Sequence, residues 1–206
     1  MYQFDWQVFE DEEYSHDSEI SFVKLNERNY ITASGTAKDK TSDKEFLALA
    51  DALSTIAAKI SEGPDGGINI PGFRTYRPYP LQAMWSGGNL EERTNFQLWI
   101  KQPNMVPEEF FHAAIEQLNL DAKLLARIKY VRMAEGTEIQ SYTDGNIADT
   151  IYKLESEVYA RELTQLSQTE HREVYVDGYG KGKPALVRIP IKVGEGKIDR
   201  NRLSTN

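Results

Sequence analysis

The chain has 206 residues, 40% hydrophobic and 27% charged, with a formal net charge of −8 at pH 7, which suits one globular domain or two small fused ones. The acidic balance argues against direct nucleic-acid binding and against an anionic membrane surface, both of which need clustered Lys and Arg. No Cys is present, so disulfides, thiolate nucleophiles and Cys-ligated metals are excluded, and no run approaches the ~18 apolar residues that span a bilayer.

Residues 1–21 read as a peripheral acidic arm. MYQFDWQVFEDEEY has neither a basic n-region nor an apolar h-region, so no signal peptide is expected and the expected location is cytoplasmic. Phe4, Trp6 and Phe9 could dock the arm on the main body, and Glu10–Glu13 reads as a solvated charge run.

Asn29–Ala37 reads as a strand and Asp39–Asp43 as a polar loop. Over Lys44–Ser61, Phe46, Leu49, Ala50, Leu53, Ile56, Ala57 and Ile60 recur at spacings of three and four, which predicts an amphipathic helix with Asp43 as its N-cap. Glu62–Gly67 (EGPDGG) ends that helix. Phe73–Trp85 and Thr94–Lys101 read as strands joined through Ser86–Asn89.

Residues 102–127 read as a helical linker, with Pro107 suited to the first turn of its helix. The same order then returns. Ile128–Met133 and Glu138–Thr143 form one long strand with a bend near Glu135–Gly136. Ile147–Leu163 is a helix with Ile147, Ile151, Leu154 and Val158 on one stripe. His171–Asp177 and Ala185–Lys192 are strands, and 193–206 is a polar, mobile tail.

The fold class predicted is α+β: βαββ units over 29–101 and 128–192, related by a pseudo-two-fold axis. Their antiparallel sheets carry helices on one face and a central groove on the other. Strand alternation then selects side chains for the groove. The candidate ligand-binding set is Gln82, Met84, Trp85, Trp99, Glu138, Gln140, Tyr142, Glu173 and Tyr175, aromatic walls with a few polar groups. Trp85 and Trp99 would equally suit strand packing, and Tyr142 and Tyr175 a solvated face. Glu173 beside aromatics should be desolvated, with its pKa raised, as in a general acid or a cation partner. Its alternative is a surface Glu paired with a Lys or Arg, Arg188 lying on the neighbouring strand. His16, His112 and His171 lack metal-ligand spacing, so neither metal nor cofactor is expected. Gly178–Gly182 (GYGKG) has no helix after it to receive a phosphate and reads as a hairpin loop rather than a phosphate cradle.

PLQAMW at Pro80–Trp85, WIKQP at Trp99–Pro103, PEEF at Pro107–Phe110, EHREVYVDG at Glu170–Gly178 and the later VRIPI resemble, in that order, the GyrI-like small-molecule-binding domain family over residues 22–192. The resemblance implies duplicated βαββ architecture, a stand-alone bacterial member of a xenobiotic- and multidrug-binding family, and Glu173 as the central pocket carboxylate. Gln82 stands where relatives often carry Glu, and Thr143–Ile147 (TDGNI) where they often read HIGPY.

Three readings follow. The chain binds a hydrophobic or cationic drug-like small molecule, with Glu173 as anchor. Alternatively it hydrolyses cyclopropane-containing DNA-alkylating compounds, with Glu173 and Tyr175 as catalytic residues, or it is a gyrase-inhibitor-like interaction protein. Whether it is an enzyme stays open at this point. A small-molecule ligand and a monomer are expected, with no nucleic-acid or membrane partner.

Overall fold

The computed structural model describes residues 3–87, 94–143 and 146–192, and the backbone of 203–205. In chain order the elements are α1 (Trp6–Phe9), β1 (Ser21–Ala37), α2 (Lys44–Glu62), β2 (Gln82–Ser86), β3 (Thr94–Gln102), α3 (Glu108–Glu116), α4 (Ala122–Leu125), β4 (Lys129–Thr143), α5 (Ile147–Ala160), β5 (Thr164–Gln165), β6 (Glu170–Val174), β7 (Ala185–Lys192) and β8 (Leu203–Thr205). The β-α-β-β order occurs twice, as β1-α2-β2-β3 and β4-α5-β6-β7, with α3 and α4 between.

The ladder closes on itself. Around the ring β1 pairs with β3, β3 with β2, β2 with β6, β6 with β7, β7 with β4 and β4 with β1, every pair antiparallel. Exchanging β1 with β4, β2 with β6 and β3 with β7 leaves this ring unchanged, which is the pseudo-two-fold relation. The two seams, β1–β4 and β2–β6, join equivalent strands of the two units. Closure removes free sheet edges and turns the shared groove into a barrel lumen.

Helices cover the outer face. The α2 residues Phe46, Leu49, Leu53, Ile56 and Ile60 are buried against the sheet. At ~1.5–3 kcal/mol per fully buried large side chain, that stripe contributes on the order of 10 kcal/mol before entropy is counted. Asp43 caps α2 as expected: its Oδ1 accepts from the Glu45 amide at 2.8 Å, worth ~1 kcal/mol. Leu154 and Val158 of α5 pack with Phe22, Ile139, Val187, Ile189 and Ile191 in a second cluster.

Several segments differ from the sequence expectation. β1 begins at Ser21, not Asn29, because its first half pairs with β4 across polar residues that hide the strand signal. The strand expected over Phe73–Trp85 shrinks to Gln82–Ser86. Pro78 and Pro80 remove two ladder donors, and the segment before Gln82 makes a single bridge, Tyr76 to Phe4. The last-repeat strand expected to reach Asp177 ends at Val174. β4 is continuous, with its bend at Gly136, where φ is +84°. Asn89, Asp144, Gly145 and most of the 193–206 tail lie outside the described residues; Leu203–Thr205 runs parallel to Phe22–Lys24.

The arm is not peripheral. Trp6, Glu13 and Tyr14 are buried, and the Trp6 indole N–H donates to the Pro78 carbonyl at 2.8 Å. Trp6 and Tyr14 pack with Tyr79 in the apolar core, and ion pairs hold the acidic run. Arg28 donates to Glu13 Oε1, Lys101 lies 2.6 Å from Glu10 Oε2 and 3.6 Å from Glu13 Oε2, and Arg188 donates to the Glu13 carbonyl. The acidic run supplies counter-charges to the barrel interior.

Candidate functional site

Register sorts the nine candidate residues. Directly opposed residues of an antiparallel pair share a face. Gln82 stands opposite Trp99, and Met84 opposite both Gln97 and Arg172. Gln140 stands opposite Arg188, itself opposite Arg172. These side chains face the lumen. Ala83 stands opposite both Leu98 and Glu173, and Trp85 opposite Phe96 and His171. Those face α2. Trp85 and Glu173 therefore lie on one face, with Tyr175 hydrogen-bonded to both, and Gln82, Met84, Trp99, Glu138 and Gln140 lie on the other.

The lumen set forms two buried polar groups, around Arg172 and around Arg188. Arg172 donates from Nε to Glu138 Oε1 at 3.2 Å and from NH1 to Gln82 Oε1 at 3.1 Å. Its guanidinium lies 4.4 Å from the Trp99 ring centroid and pairs with Glu135. Arg188 Nε donates to Gln140 Oε1 at 2.9 Å, and Gln140 Nε2 donates to the Glu12 carbonyl at 2.8 Å. All of these side chains are buried. Glu135 is pushed up to about 7, by burial above all and by Glu138 close by, against the pull of Arg172. Tyr142 joins neither group: its hydroxyl donates to Asp177 Oδ2 at 2.7 Å, beside His16.

The second group sits at the floor of an open cleft. Glu173 is 1% exposed. His171 Nε2 is 2.9 Å from its Oε1, Lys40 Nζ donates to Oε1 at 3.0 Å, and the Tyr175 hydroxyl donates to Oε2 at 3.0 Å. Trp85 Nε1 in turn donates to the Tyr175 hydroxyl at 3.2 Å. Phe46 of α2 stacks on Trp85, with centroids 5.5 Å apart, and meets Tyr175 edge-on. The aromatics form a packed layer beneath the cleft. Above it the space measures about 480 Å³, lined by Lys38–Ser42, Ile147, Glu173, Tyr175 and Gly180–Lys183.

The alternative of an ion pair holds with Lys40 rather than with Arg188, which is on the lumen face, and the carboxylate is buried rather than at the surface. The expected rise in its pKa is also reversed. Burial alone would push the carboxyl up, but the His171 hydrogen bond and the Lys40 ammonium together hold it below the ordinary carboxylate value. Glu173 is therefore an anion at neutral pH. Burial and the neighbouring Glu173 push the Tyr175 phenol well above its ordinary value, so it keeps its proton.

Lys40 had no signal in the sequence, being one charge in a polar loop. Its backbone takes φ +47°, a left-handed conformation that costs an L-residue about 1 kcal/mol. Asp43 holds that loop: Oδ2 accepts from the Lys38 amide at 3.0 Å while Oδ1 caps α2. His171 was legible, two residues before Glu173 on the same strand face. Among the described residues no group of three or more His, Asp or Glu is placed to hold a metal ion, and no helix is long and apolar enough to cross a membrane.

Fold and site together define an α+β protein with a closed, duplicated βαββ barrel and a cleft over a buried carboxylate. No family model and no curated protein matches the sequence. Solved structures do match the fold. A hydrolase encoded by lin2189 from Listeria innocua superposes on 93% of this chain and 100% of its own, with a TM-score of 0.80 and 19% identity. A second hydrolase from Listeria innocua gives 0.77 at 19% identity, over 92% of this chain and all of its own. An uncharacterized conserved protein of that organism gives 0.77 at 20%, with the same coverage. At these identities the likeness establishes a common fold.

Proposed function

We propose that this chain is a GyrI-like protein that binds a drug-like small molecule in the cleft over Glu173 and Tyr175. One observation carries the reading: a carboxylate that is 1% exposed, hydrogen-bonded to a phenol, forms the floor of an open cleft of about 480 Å³. Dry, ionised groups at the base of a concavity are the usual make-up of binding and catalytic sites. The ordered sequence resemblance supports the family, and the fold common to the Listeria structures agrees with it. A compound panel screened by thermal shift and Trp fluorescence tests the reading. Glu173→Gln should change the affinity for a ligand found this way at least about tenfold, a difference of ~1.4 kcal/mol. A variant that binds every hit as tightly as the wild type rejects the site.

A second reading, hydrolysis of a strained electrophile such as a cyclopropane alkylator, is favoured by the ionisation of Glu173. A buried carboxylate held as an anion can accept a hydrogen bond from water and orient it, and the Tyr175 hydroxyl, which donates to Glu173 at 3.0 Å, supplies a proton-bearing group beside it. Two of the Listeria structures that share the fold are described as hydrolases. Formation of the hydrated product with the wild type and its loss in Glu173→Gln would support turnover. No product at high protein concentration would reject it for that compound class.

A further inference from the structure

We propose that the cleft over Glu173 selects ligands carrying an anionic group, a carboxylate, sulfonate or phosphate on a compact organic body, which is seated between Lys38, Lys40, Lys181 and Lys183. This deepens the proposed function and rests on that cleft being the ligand site.

The chain carries a net charge of −8, yet the described residues that line this cleft include four lysines against two acids, Asp39 and Glu173. Lys40 already neutralises Glu173. That leaves Lys38, Lys181 and Lys183 facing Asp39, with Asp177, outside the lining, drawing on Lys183. A concave wall with an excess of positive charge draws an anion towards it. Thr41 and Ser42 line the same wall and bring hydroxyl donors.

The glycine-rich loop gives this wall its shape. Gly178, Gly180 and Gly182 take φ of +82°, +150° and +71°, conformations that favour glycine. They alternate with Tyr179 and Lys181, and Lys183 follows, so the loop brings both lysines to the cleft lining, with the Lys183 ammonium lying back over Gly178. Tyr179 packs 6.0 Å from Tyr175 and anchors the loop on the aromatic layer.

Lys40 decides between ligand charges. A cationic ligand reaching Glu173 must first evict the Lys40 ammonium and leave it without its carboxylate. An anionic ligand adds to Lys40 on its open side, where the side chain is 45% exposed, and leaves the Glu173 pair intact. The electrostatic work therefore favours the anion.

Two fluorescent probes test this on the full chain: 8-anilinonaphthalene-1-sulfonate as the amphipathic anion and rhodamine 6G as the cation. The sulfonate should bind more tightly, lose affinity with added salt, and bind roughly tenfold more weakly to the double variant Lys181→Gln/Lys183→Gln, as expected for two charged contacts at an exposed rim. The melting temperature of that variant should stay at the wild-type value. Tighter binding of rhodamine 6G, lost in Glu173→Gln, would overturn the anionic assignment and leave the cleft as the binding site. Sulfonate binding that is equal in the wild type, in the lysine variant and in Glu173→Gln would overturn both.

Discussion

The Lys40 ammonium lies 3.0 Å from Glu173 Oε1, with the carboxylate buried and the lysine half in solvent. The same ammonium stands 5.5 Å from the Trp85 ring centroid. One exposed cation thus closes the polar end of a buried aromatic layer, and it does so from a loop held by Asp43.

Removing this cation should loosen the site without unfolding the chain. His171 and Tyr175 still hydrogen-bond the carboxylate in Lys40→Ala, so the expected loss is about 1–2 kcal/mol, below that of a fully buried pair because Lys40 is partly solvated. The Glu173 carboxyl should titrate at a higher pH than in the wild type. Denaturation and NMR titration of the Glu173 carboxyl read the two effects, and an unchanged titration would show that Lys40 does not set the charge of Glu173.

Stability should fall in acid through Glu173. Its folded pKa lies below the ordinary 4.5, so the stability it contributes is fully present above about pH 4.5. That contribution is lost as pH falls through the lower folded value. Unfolding free energies of the wild type and Glu173→Gln measured from pH 7 downwards should differ most above about pH 4.5 and converge in acid. Parallel curves would contradict the assignment.

Arg172 should be the costliest single loss. It is buried against Glu138, Gln82, Glu135 and Trp99, and Arg172→Met leaves two buried acids without their shared cation. The expected cost is ~3–5 kcal/mol. Adding Glu135→Gln and Glu138→Gln should recover part of it, because the network is then neutralised as a unit. A triple variant no more stable than the single one would argue that packing, not charge, dominates there.

Glu13→Gln tests whether the arm is part of the barrel. Burial pushes this carboxyl up, but Lys101, Arg28 and Arg188 outweigh it and hold the pKa low. The substitution removes the buried carboxylate that Arg28 and Lys101 share and should lower the urea midpoint by the equivalent of ~3 kcal/mol with an unchanged m-value. A surface acid of the same run, changed as Asp11→Asn, should stay within ±0.5 kcal/mol.

The sequence by itself determined the principal elements of the two repeats and their order, because periodicity is local. The α2 stripe from Phe46 to Ile60, the cap at Asp43 and the strand–helix–strand–strand order repeated around Glu173 all follow from neighbours along the chain. Only tertiary structure decided which strand faces look inward. The parity of a strand says that Glu173 and Arg172 point to opposite sides, not which side meets a helix and which a lumen. Register across β2–β6 separated Glu173 and Trp85 from Trp99 and Gln82, which read as one pocket in the sequence. Charge partners lie further still from local reach. Lys40 and Glu173 are 133 residues apart, and Glu13 meets Lys101, Arg28 and Arg188 only once the barrel closes. Coulomb attraction acts through space, so the sign of the Glu173 shift, and with it the chemistry of the cleft, was fixed by the fold.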